Sequence, residues 1–154
     1  MIREEMRSEA KVRLIGYRKN YEMVANWESY SDPQSKRGYN MGIRSGKTSD
    51  PTANAATNRA DPPQYIVVAQ DWNGAINDAW ADLSREDEDN GCAGKGKAFV
   101  LENYYGLTKP PLTKYSDRVD AICKECAISQ STMNAWLRDS IEAVVLHALA
   151  RQLV

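Results

Sequence analysis

Apolar residues in this chain recur at steps of three and four, over stretches too long for strands. After Ser129, Met133, Leu137, Ile141, Val144/Val145, Ala148 and Leu149 hold one stripe to the C-terminus, about 25 residues in all. Such a stripe is a helix burying one face, and the Ser129 hydroxyl stands where an N-cap belongs. Met6, Ala10, Leu14, Tyr17, Tyr21, Val24 and Trp27 mark a long amphipathic helix from Ile2 to about Tyr30. Gly16 weakens it by about 1 kcal/mol without a proline to break it. Ile66, Ala69, Trp72, Ile76, Ala79, Trp80 and Leu83 mark another within residues 64–86. Lys97–Leu107 adds a shorter helix with Gly106 as its C-cap, and Ser116 is placed to cap DRVDAICKECA. No hairpin turn joins alternating apolar runs, so the expected class is all-α.

Residues 31–63 contain four prolines, three glycines and almost no large apolar side chain. They cannot build core, and a loop, mobile in part, is expected. Ser49-Asp50-Pro51 would open a short helix through TANAATNRA. Lys36, Arg37, Arg44 and Lys47 make this stretch either a solvated linker or a basic arm. The expected organisation is an N-terminal helix (1–30), a basic loop (31–63) and a helical domain (64–154) with a two-helix unit at about 116–140. The run REDED, residues 85–89, reads as a solvated helix end before a Gly-rich turn.

Charge narrows the function classes. The net charge of −1 excludes nucleic-acid binding through bulk charge. Its distribution is uneven: ten Lys/Arg against six Asp/Glu in residues 1–48, two against nine in 49–90, and eight against six in 91–154. DNA binding would rest on local patches. No stretch reaches the roughly 18 apolar residues that span a bilayer. Three cysteines, without an export signal, fit reduced thiols in a cytoplasm.

The stretch ICKECAISQSTMNAWLR carries the most specific pattern. Ile122 and Cys126 would be buried, and Cys123 is small where a second helix crosses. Ala127 sits at the turn, Ile128 plugs the gap, and Met133 and Leu137 anchor the second helix. That is helix-turn-helix spacing. It leaves Gln130, Ser131, Thr132, Asn134, Ala135 and Arg138 outward at the start of the second helix. Amides suit adenine edges, and a guanidinium suits guanine or phosphate. Lys124, Arg118 and Lys114 flank the first helix as phosphate candidates.

With AFVLENYYGL ahead of it, the helix pair resembles region 4 of sigma factors, from Phe99 to about Ala148, with a longer connector, TKPPLTKYS. More loosely, the chain resembles small bacteriophage regulators of late-gene transcription. VANWESYS is similar to a run in Q-type antiterminators, and TSDPTANAATNRA to a stretch of RinA/ArpU-like activators. The resemblance implies a cytoplasmic protein of the infected cell that binds double-stranded DNA near a late promoter. It also implies contact with RNA polymerase, through the N-terminal helix and loop, or their use in a homodimer.

Three other readings compete. Cys92, Cys123, Cys126 and His147 have the softness of a zinc set, but Cys123 and Cys126 fall inside a predicted helix. Enzyme signatures are lacking: no Walker A, dinucleotide fingerprint or nucleophile elbow occurs, and no cofactor is implied. A small terminase-like DNA-recognition protein would use the long last helix, or Trp27, Trp72 and Trp80 if they were exposed, to oligomerise.

Overall fold

The computed structural model describes residues 2–31, 62–92 and 94–154. Lys36, Arg37, Arg44 and Lys47, and the helix expected through TANAATNRA, lie outside these residues. Among the described residues the chain forms six helices and no strand: α1 (Glu4–Ile15), α2 (Tyr17–Ser31), α3 (Gln64–Asp89), α4 (Lys97–Tyr105), α5 (Tyr115–Cys126) and α6 (Gln130–Ala150). The chain is all-α, as its periodicity requires. No described helix is long and apolar enough to cross a membrane.

The single N-terminal helix expected from the sequence is two. Gly16 sits between α1 and α2 at φ −88°, ψ 5°, with its N–H still on the Val12 carbonyl at 3.1 Å. Glycine is the residue least restrained to helical geometry, so the break falls there. It also lies close to a boundary between two compact units: one joins the chain up to Arg18 to Asp71–Val154, the other is Lys19–Gln70. The contacts draw the units at residues 18 and 70. In the Lys19–Gln70 unit, Val24, Ile66 and Ala69 are buried, and Gln70 donates to Glu28 at 3.4 Å.

The larger unit is built on α6. Its Ile141, Val144, Val145 and Ala148 are buried, as are Trp72, Ala75, Ile76, Ala79 and Leu83 of α3 and Ala10 and Leu14 of α1. The buried Tyr17 donates its hydroxyl to Asn77 Oδ1 at 2.6 Å, and the Arg13 guanidinium lies 5.6 Å over the Trp72 ring. Trp72 is a core residue, and Trp27 and Trp80 are half-buried, which removes most of the aromatic surface offered for oligomerisation. α6 ends at Ala150, four residues before the C-terminus, where Gln152 turns into the left-handed region and Leu153 N–H bonds the Ala148 carbonyl.

Carboxylates four residues apart on α3 tie it to its neighbours. Asp78 accepts from Arg151 at 2.8 Å, and Asp82 shares a 2.7 Å hydrogen bond with His147 Nε2. Because 78 meets 151 and 82 meets 147, α3 and α6 run antiparallel. Glu86 takes Lys97 at 2.9 Å, and Lys97 also reaches Asp139 at 3.2 Å. The Glu86 hydrogen bond, with Asp139 adding to it, raises the Lys97 pKa above the ordinary lysine value.

Asp87 is not part of a solvated helix end. It is 5% exposed, and its two oxygens accept the Lys97 and Ala98 N–H groups at 2.9 Å each. It is the N-cap that α4 lacks locally, supplied from ten residues upstream across the Gly-rich turn. Gly96 has no room for a Cβ, which would fall on the Asp87 carboxylate. Replacing Asp87 by Ala should cost about 2 kcal/mol, since it leaves two N–H groups unpaired beside the core. Urea unfolding measures this, and an unchanged midpoint would contradict the capping role.

Candidate nucleic-acid interface

The polar surface at the start of α6 is held in place by a small apolar cluster. Val100 of α4, Val119 and Ile122 of α5 and Met133 of α6 are buried together. Tyr104, Cys123, Cys126, Ile128, Trp136 and Leu137 pack against them. All the side chains assigned by spacing to hold the helix pair, Ile122, Cys123, Cys126, Ile128, Met133 and Leu137, are in this cluster. Trp136 joins it too. It stands three residues after Met133, on the same face of α6.

α5 and α6 are joined by three residues, Ala127, Ile128 and Ser129. Ala127 adopts φ 54°, ψ 47°, the left-handed region. Ile128 N–H bonds the Cys123 carbonyl at 3.0 Å and Ala127 N–H bonds Lys124 at 3.3 Å, the paired bonds of a Schellman C-cap. Ile128 and Cys123 meet in the cluster beneath, which supplies the apolar contact of that motif. Ala127 is exposed, so what the turn demands of it is its backbone angle rather than a small volume. Ser129 then caps α6 as its position suggested: its Oγ accepts the Thr132 N–H at 3.1 Å. α5, by contrast, begins at Tyr115 after Lys114 and has no side-chain cap, so Ser116 does not serve as one.

The expected DNA-contacting residues separate into three groups. Gln130, Ser131, Asn134 and Arg138 are exposed, and 130, 134 and 138 lie at steps of four on one face. Lys124, in the last turn of α5, and Lys114, before its first, are also exposed. Thr132 is half-buried, and its hydroxyl accepts from Ser129 at 3.0 Å, so its polar atoms belong to the cap. Arg118 is taken up inside the fold. It donates to the Leu112 carbonyl at 2.9 and 3.1 Å and to the Tyr104 carbonyl at 3.0 Å, with its guanidinium 5.4 Å over the Tyr104 ring. It clasps the proline-containing connector to α4 and α5, a role that spacing on α5 alone could not reveal. Burial pushes the Tyr104 hydroxyl up to about 12, so this ring stays neutral beneath it.

Asn134 and Arg138 also line a cleft of about 490 Å³ with Glu4, Arg7 and Lys11 of α1. Nothing in the local sequence joins the first helix to the last. The steps from 4 to 7 to 11 do place these residues on one face.

The zinc set is not assembled. His147 is engaged by Asp82, the Cys92 thiol lies 3.7 Å from the Asn90 carbonyl, and Cys123 and Cys126 pack on the apolar cluster. Burial raises the Cys126 thiol above its ordinary value, against the thiolate that a metal would take. Among the described residues no three His, Cys, Asp or Glu side chains form a group that could hold a metal ion.

Comparison with protein-family models, curated proteins and solved structures finds no match. Ala127→Gly should stabilise the chain by about 1 kcal/mol, because glycine takes the left-handed angle without strain. A lower unfolding midpoint would show that the methyl group, not the angle, matters there.

Proposed function

We propose that the chain is a DNA-binding regulator of bacteriophage late-gene transcription that acts on RNA polymerase as an antiterminator. The observation that carries DNA binding is the α5–turn–α6 unit, read as a helix-turn-helix. Its turn is capped at both sides, its underside is packed, and its free face is polar where a recognition helix meets base edges. Gln130 and Asn134 carry amides that match adenine, and Arg138 a guanidinium that matches guanine. Lys124 and Lys114 serve as phosphate contacts, joined by the free N–H groups and positive dipole end of α6. Late-gene control and contact with polymerase come from the sigma-like and antiterminator resemblance of the sequence. In this reading the polymerase contact falls to the Lys19–Gln70 unit.

Two variants test the DNA-binding part. Arg138→Ala should relax sequence preference at one position of the site, at a cost of about 1–3 kcal/mol. Lys124→Ala should weaken binding to all sequences and lower the salt slope by about one unit. If neither variant changes binding, the helix pair is structural. Transcription in vitro from a template with a promoter and a downstream terminator tests the rest. Added readthrough with unchanged initiation is expected. More initiation would make the protein an activator instead, and no effect on either would remove the transcriptional role.

A further inference from the structure

The cleft between α1 and α6 contains more positive charge than the fold uses. On its α1 wall, Arg7 is fixed: it donates to Glu142 at 2.9 and 3.3 Å and to Glu4 at 3.2 Å. That ion pair, together with the burial of Ala10 and Leu14, docks α1 beside α6. Lys11, one turn further along α1, and Arg138 on the facing wall are exposed. Among the described residues neither meets a carboxylate. Two unpaired cations thus line one cleft, next to the amide of Asn134.

Dimensions decide what these cations can reach if α6 enters DNA. A helix with its side chains is about 10–12 Å across, and the major groove is about 12 Å wide. Only one helix fits. A second helix packed at the usual interaxial distance of about 8–10 Å must ride on the wall of the groove, which is the sugar–phosphate backbone. α1 is one helix so placed, and the side chain it turns into the cleft without a partner is Lys11.

We propose that α1 is part of the DNA-binding surface, with Lys11 contacting a phosphate at the edge of the groove that α6 enters. The inference rests on the helix-turn-helix reading of α5 and α6. It gives the first helix a nucleic-acid role, and makes Arg7 the strut that holds Lys11 in position through Glu142.

Fluorescence anisotropy with a labelled duplex, across a salt titration, tests it on the full chain. Lys11 is exposed and unpaired, so Lys11→Gln should leave the fold unchanged, as circular dichroism checks. The variant should bind DNA several-fold more weakly, with the salt slope reduced by about one unit and sequence preference unaltered. Lys11→Arg should restore the slope. Should Lys11→Gln match or exceed the parent while Asn134→Ala weakens binding, the role of α1 is overturned and the recognition helix stands. Should neither variant affect binding, the helix-turn-helix reading falls together with it. A cleft that binds a free mononucleotide through Lys11, without any Lys11 effect on the duplex, would also overturn the proposal.

Discussion

Val100, Val119, Ile122 and Met133 come from three helices and are almost completely withdrawn from water. Everything proposed for the C-terminal surface depends on that contact. Met133 is fixed under α5, so its neighbours 130, 134 and 138 have only one direction left to face. Val100 belongs to α4, whose start is set by Asp87, so a buried carboxylate on α3 helps fix the orientation of α6. The turn at Ala127 completes the geometry by joining α5 to α6 through three residues while the Cys123 and Lys124 carbonyls stay paired.

A net charge near zero argues against DNA binding only if charge is spread evenly. Here four of the nine acids in the middle of the chain are spent on internal contacts: Asp78, Asp82 and Glu86 meet Arg151, His147 and Lys97, and Asp87 meets two backbone N–H groups. Arg7 is likewise neutralised by Glu4 and Glu142. Lys11, Lys114, Lys124 and Arg138 have no carboxylate partner among the described residues and are exposed. Local patches of this kind give phosphate contacts that are few and salt-sensitive.

The helices were legible because helical periodicity is a local signal: the stripes on α3 and α6, the Gly106 C-cap and the Ser129 cap all appear where the residues place them. So does the packing of the helix pair, since Ile122, Ile128, Met133 and Leu137 are close in sequence. What was not legible depends on partners far apart in the chain. Asp87 looked like one more acid in REDED until the Gly-rich turn brought the start of α4 onto it. Arg118 looked like a free cation because the carbonyls that hold it lie on α4 and the connector. Nothing local to Arg7 and Lys11 says that the first helix docks beside the last. The break at Gly16 was visible as a propensity, but propensity alone did not decide it.

In the proposed role the exposed face of α6 reads DNA sequence. Selection of duplexes from a randomised pool by the full chain, followed by sequencing, tests it most directly. Enrichment of a short defined site by the parent, lost when Asn134 and Arg138 are both replaced by Ala, is the predicted result. A pool that shows no enrichment, or the same enrichment with the doubly substituted chain, would contradict it.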